Sequence, residues 1–251
     1  MSFTLRAVGV VAVLAASAAR ADVISIAAEQ AGNYASDGIG NINTLAFQNY
    51  FVGYSTPSAI AERRNFFHFH TGPLGSVTVV SGELVVYVPK FAPGATTDPG
   101  DGYISPDPSE VYRISGTMVP ASEVTDATNS PAESMAIWDT LGTGLFFGAI
   151  EVFPSSKGTY LHIPLSAAAI GILDTGPTDF VIGGKLDSLD RSRPMVLDEL
   201  LFSFTDVPGS GVFEPPTLKL TIVPGPGSLV LVLAGAAGVM AARRRASVFR
   251  A

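Results

Sequence analysis

The middle of the chain reads as a series of strands, short runs of alternating or β-branched and aromatic residues. Val23-Ile24-Ser25-Ile26 opens this pattern, and Thr44 to Tyr54 follows, rich in aromatic and β-branched residues. Across Asn65 to His70, Phe67 and Phe69 fall on one face of a strand, with Phe66, His68 and His70 on the other. Val77 to Val88 forms a long strand pattern whose apolar parity shifts at Ser81-Gly82, which marks a bulge or kink. Further strands are predicted at Val111 to Val119, Gly144 to Phe153, Thr159 to Leu165, Asp179 to Gly183, Glu199 to Phe204 and Thr217 to Val223. The Gly, Pro, Asp and Ser clusters between them supply turn chemistry. Helical signal is scarce. Ser166 can cap a short helix that runs to Leu173, and a helical turn fits Glu133 to Trp138. Two stretches break the alternation with unbroken apolar runs, one at each end of the chain.

About ten strands with one short helix predict an all-β fold: a single β-sandwich of jelly-roll type. A signal helix precedes it and a transmembrane helix follows it. Ala92 to Glu110, with Pro93, Pro99, Pro106 and Pro108, is the longest irregular stretch and reads as a surface loop.

Residues 1–21 have the layout of a secretory signal peptide. Arg6 supplies the positive start, Ala7 to Ala16 the apolar core, and Ala19-Arg20-Ala21 the small-residue cleavage site. At the other end, residues 223–251 form a tail. Val223-Pro224-Gly225-Pro226 breaks the fold, Leu229 to Ala242 carries no charge, and Arg243-Arg244-Arg245 forms a basic stop. As a helix, 229–242 spans about 21 Å at ~1.5 Å per residue, against a hydrocarbon core of about 30 Å. The length fits a temporary anchor better than a lasting one, and the arginines hold their end on the cytoplasmic side. A hydrophobic helix docked on the domain is the alternative, but the run lacks the polar face such a helix would show.

Between the two ends, residues 22–222 form the body, about 200 residues and enough for one core. Setting the ends aside changes the charge: nine basic residues remain against all 22 acidic ones, a net of −13. Such a surface repels nucleic acid. The chain has no cysteine, so packing alone must hold a domain that leaves the cytosol.

A breaker with paired prolines, a short apolar helix and a terminal arginine cluster resemble the PEP-CTERM sorting signal of exopolysaccharide-producing bacteria. Glycine stands at Gly225, where that signal usually has glutamate, and six residues, Ala246 to Ala251, follow the arginines. The resemblance implies the export machinery and an exosortase-like processing enzyme as partners, and delivery to the cell surface or extracellular matrix. Several stretches of the body are similar to exported bacterial β-sandwich proteins that often carry this tail. They are Arg64-Asn65-Phe66-Phe67-His68-Phe69, Ser105 to Tyr112, Trp138 to Gly144 and Phe180-Val181-Ile182-Gly183-Gly184. That group implies no catalytic residues.

The body offers three candidate chemistries. Asp98, Asp101, Asp107 and Glu110 line the irregular stretch, and carboxylates on a Gly-rich loop suit calcium, which takes six to eight oxygens. The same residue types build ordinary tight turns, and no cofactor other than calcium is implied. Trp138, before a Gly-rich turn, can stack on a sugar or fill a core. His68 and His70 share a strand face as in cupin metal sites, but the glutamate expected nearby is replaced by Thr71-Gly72-Pro73-Leu74-Gly75. The Arg63-Arg64 pair reads as a solvated strand start. There is no Gly-x-Ser-x-Gly elbow and no phosphate-binding loop. The expected function is a non-enzymatic, structural or adhesive protein of an extracellular polysaccharide layer. The alternative is a carbohydrate-binding module or carbohydrate-active enzyme acting on that layer.

Overall fold

A computed structural model describes residues 20–43, 49–55, 59–72, 74, 77–90, 102–190, 199–202 and 215–225. Ala19 and the apolar core of the signal, Asp98 and Asp101, Pro226, and the tail residues 229–245 that include Arg243, Arg244 and Arg245 lie outside the described residues. No helix among the described residues is long and apolar enough to cross a membrane.

The chain is mostly antiparallel β-structure with a few short helices. Thirteen strands are described: β1 (Asp22–Ala27), β2 (Gln30–Ala35), β3 (Gly40–Asn43), β4 (Val52–Ser55), β5 (Ala59–His70), β6 (Val77–Tyr87), β7 (Tyr103–Ile104), β8 (Glu110–Gly116), β9 (Phe146–Val152), β10 (Tyr160–Pro164), β11 (Asp179–Leu186), β12 (Glu199–Leu201) and β13 (Thr217–Pro224). The helices are α1 (Ala121–Val124), α2 (Pro131–Thr143) and α3 (Ala167–Asp174). The smaller sheet has the order β1-β13-β6-β10. The larger runs β7-β12-β4-β5-β11-β8-β9, with β2 paired to β5 and β3 paired to β2.

Period-two alternation sets what each sheet buries. From the smaller sheet, Leu84, Val86, Leu161, Ile163, Leu218 and Leu220 enter one core; from the larger, Phe67, Phe69, Tyr112, Ile114, Phe147 and Ile182 meet them. Phe66 faces the other way, as its position predicts. It joins Tyr34, Val124, Ile137, Leu141 and Val181 in a second cluster under α1 and α2. The parity shift in β6 is a bulge: Thr221 pairs with Ser81 and Ile222 with Val79, leaving Val80 unpaired and about half exposed.

The helices differ from the sequence reading. α3 matches its expected span, with Ser166 accepting from the Ala169 N–H. α2 is thirteen residues rather than one turn, and α1 is additional, so three helices stand where one short helix was expected. α2 opens on a capping box in which Ser130 accepts from the Glu133 N–H and Glu133 accepts from the Ser130 N–H, with Pro131 at the first helical position. It continues through Gly142 because β11 lets it approach: a Cβ at Gly183 would lie 2.8 Å from the Leu141 Cα. Ser130→Ala is expected to destabilise the protein by ~1 kcal/mol. The readout is a fall in Tm of about 2–4 °C in thermal unfolding.

Candidate metal centre

Three carboxylates converge at one end of the larger sheet. Glu110 is the first residue of β8 and lies opposite Val152 of β9. Glu199 is the first residue of β12 and lies opposite Tyr54 of β4. Asp107 sits in the turn between β7 and β8. One oxygen from each comes within 4.8 Å of the others, with Glu110 and Glu199 buried and Asp107 exposed.

Local bonds fix each group. Ser105 Oγ accepts from the Asp107 N–H at 3.1 Å and donates to Glu110 Oε1 at 2.5 Å. Ser188 Oγ donates to Glu110 Oε2 and accepts from the Val111 N–H at 2.8 Å. Tyr103 donates its hydroxyl to the Asp107 carbonyl at 2.8 Å. The Asp190 N–H donates to Glu199 Oε2 at 2.9 Å. Glu199 also rests on close backbone approach. Gly53 of β4 has φ +113°, and a Cβ there would lie 2.0 Å from the Glu199 carbonyl oxygen, so only glycine suits the position.

Burial pushes the Glu199 carboxyl above the ordinary glutamate range. The Asp190 N–H opposes this, and the charges of Glu110, Asp107 and Asp190 add to it. The Tyr103 hydroxyl is pushed up by burial and then by Glu110. Like charges this close favour either a proton or a cation between them. The donors are all oxygen, which suits calcium or magnesium rather than a soft metal.

Of the four loop acids expected to bind calcium, the fold brings Asp107 and Glu110 together, and Asp98 and Asp101 lie outside the described residues. The stretch from Ala92 to Glu110 is also not wholly loop, because β7 pairs with β12 through Ile104–Leu200 and Tyr103–Leu201. Glu199 was not expected. A glutamate heading an apolar strand is its only local signal, and 89 positions separate it from Glu110.

Trp138 is half-buried on α2, with the Arg64 guanidinium 3.7 Å over its ring, so one ring face is taken. Arg64 is not a solvated strand start. It lies in the middle of β5 and is 6 % exposed. His68 and His70 do share a face, and both approach Asp179 of β11, at 2.9 and 3.7 Å. Ala21 directly precedes β1, and Val223 and Pro224 are the last residues of β13, followed by Gly225.

The outer face of the smaller sheet carries a second group. Tyr160 of β10 lies opposite Tyr87 of β6, with ring centroids 5.2 Å apart and planes tilted by 55°. His162 pairs with Glu83 at 2.9 Å, and Lys219 lies opposite Glu83 in register. Tyr87, Tyr160, His162 and Lys219, with Val85 and Thr217, line a shallow groove of about 250 Å³, and Glu83 lies beside it.

No known protein-family model matches the chain, and no curated protein matches it.

Proposed function

We propose that the chain is an exported, non-enzymatic protein whose body, residues 22–222, is a single jelly-roll-like β-sandwich. It serves a structural or adhesive role in an extracellular polysaccharide layer. The observation that carries this reading is the pairing of β1 with β13, which sets Asp22 opposite Ile222. The residue after the expected signal cleavage site and the residue before the expected sorting tail are therefore neighbours at one sheet edge. Cutting at Ala21 and leaving through Val223-Pro224-Gly225-Pro226 would keep every strand of that sheet intact. Two sheets that bury a common aromatic core support the sandwich reading, and the net charge of −13 on the body supports solubility outside the cell.

The test is intact-mass analysis of the protein recovered from washed cell-surface and culture fractions. The expected form begins at Asp22 and lacks residues 229–245. Recovery of the uncut chain from the cytoplasm alone would overturn the reading.

A second reading, carbohydrate binding, is favoured by the Tyr87–Tyr160 pair. A tyrosine ring on an open sheet face can pack against the C–H face of a pyranose, with donors and acceptors from His162, Glu83 and Lys219 nearby for its hydroxyls. The Lys219 and Glu83 charges offset one another, which suits an uncharged polysaccharide. In a pull-down with purified extracellular polysaccharide, Tyr160→Ala is expected to weaken retention about tenfold, equivalent to ~1.4 kcal/mol. Equal retention of both proteins would remove this reading, and release of free sugar would replace it with an enzymatic one.

A further inference from the structure

One end of the body combines exposed apolar side chains with the exit of the tail. β13 ends at Pro224, opposite Val77, the first residue of β6. Two residues along, the Val79 N–H donates to the Asp174 carboxylate at 2.9 Å, which ties the C-terminus of α3 to this end. On the larger sheet β5 ends at His70, opposite Asp179, the first residue of β11. The Thr71 N–H donates to the Thr178 carbonyl there. Beside these strand ends lies a cleft of about 570 Å³, lined chiefly by Met118, Val119, Leu145, Phe147, Ile172 and Phe180. At its rim Met118 is 95 % exposed, Leu145 54 % and Ile172 37 %. Single exposed apolar residues need no explanation, but a cluster around an apolar cleft marks a contact surface.

Linker length identifies the partner. Only Pro226, Gly227 and Ser228 separate Gly225 from the apolar run that starts at Leu229. Even fully extended, four Cα steps reach no further than about 14 Å. A body tethered this closely to a membrane-embedded segment must stand with its tail-exit end against the bilayer. Asp174 and Asp179 lie at the same end, so the contact is made by apolar side chains and not by attraction to anionic headgroups.

We infer that this end of the body is a lipid-contact surface, in which Met118, Leu145 and Ile172 enter the interfacial layer of the membrane that holds the tail. The inference rests on the reading of residues 229–242 as a membrane segment.

The chain has no cysteine, so single-cysteine labelling is clean. Three variants of the full chain, Met118→Cys, Lys90→Cys and Gly238→Cys, are each labelled with an environment-sensitive fluorophore. They are reconstituted in phosphatidylcholine vesicles that contain doxyl-labelled phosphatidylcholine. Lys90 follows the far end of β6, roughly 30 Å from Val77 at about 3.3 Å per strand residue. The expected result is blue-shifted, quenched emission at 118 and 238 and water-like, unquenched emission at 90. Quenching at 238 with water-like emission at 118 would overturn the lipid-contact surface and leave the tail reading intact. Water-like emission at 238 would overturn both. Leu145→Cys gives an independent reading of the same surface should the label at 118 perturb the fold.

Discussion

Arg64→Ala lowers the melting temperature by on the order of 10 °C, corresponding to ~3–5 kcal/mol, the usual loss when one partner of a buried ion pair is removed. The Arg64 guanidinium donates from Nε to Glu62 Oε1 at 3.0 Å, and from Nη1 to the Trp138 and Asp139 carbonyls at 3.0 and 3.1 Å. It also lies on the Trp138 ring. Glu62 is itself only 4 % exposed. An alanine at 64 therefore removes the cation of a buried ion pair and separates β5 from the C-terminal half of α2, where a cation also complements the helix dipole. Arg64→Lys recovers only part of the loss, because a lysine keeps the charge but not the planar fork that bonds and stacks at once. Adding Glu62→Gln to Arg64→Ala recovers part of the loss, because a neutral amide costs less than a carboxylate in a site 4 % exposed. Thermal unfolding followed by circular dichroism checks all three. If Arg64→Ala melts within a degree or two of the natural protein, the pair does not join sheet to helix. Gly142 belongs to the same arrangement: a Cβ there would lie 2.4 Å from the guanidinium carbon, so the helix can cover Arg64 only with glycine at that turn.

Arg64 also shows where the sequence stops being readable. Strands with alternating Val, Ile, Leu and Phe were legible, because burial of one face imposes that alternation, and Val77 to Val88 even disclosed its bulge. β2 was not legible. Gln30-Ala31-Gly32-Asn33-Tyr34-Ala35 has little strand propensity and is held by partners remote in sequence. Asn33 donates to the Asn49 carbonyl at 2.7 Å and accepts from Arg63 Nη1 at 2.9 Å. Gly32 is needed where a Cβ would lie 2.3 Å from the Asn41 carbonyl oxygen. Buried polar networks of this kind carry no periodic signature. The start of β5 was missed for the same reason, since the Arg63-Arg64 pair looks solvated until α2 covers Arg64 and Arg63 packs on Phe51 and Asn33. α2 starts at a capping box, Ser130-Pro131-Ala132-Glu133, ahead of the turn expected from Glu133. Its length was obscured by Gly142 and Gly144, which read as turn residues and serve instead for close packing. For the carboxylate site, the loop half was legible as local turn chemistry. Glu199 was not, because only the β4–β12–β7 pairing carries it to Glu110.

Glu110→Ala produces the second large effect, and its dependence on calcium and pH separates a cation site from a proton-sharing one. The substitution leaves the Ser105 and Ser188 hydroxyls without their buried acceptor, at ~1–3 kcal/mol for each such group. It also removes one of the three carboxylates that could hold a cation. For the natural protein, a site of about 10⁻⁴ M affinity, as in extracellular calcium modules, adds ~2.7 kcal/mol at a calcium concentration 100 times its Kd. That raises Tm by about 5–10 °C over EDTA. Glu110→Ala loses both the basal stability and this rise. Glu199→Gln loses the rise but follows a different course with pH. The Glu199 carboxyl titrates above its unfolded value, so the folded state holds its proton more tightly. In EDTA the stability this group contributes is therefore present at low pH and is lost as pH rises from the ordinary glutamate range through the raised value. A bound cation takes the place of that proton, so calcium should flatten the fall. Glu199→Gln should abolish it and melt at least as high as the natural protein in EDTA at pH 8. If the natural protein melts at the same temperature in EDTA and in calcium across this range, the site takes no calcium. A pH slope that persists and disappears in Glu199→Gln would then identify the cluster as carboxyls sharing a proton, which hold the β7–β8 turn, the segment after β11 and the start of β12 together.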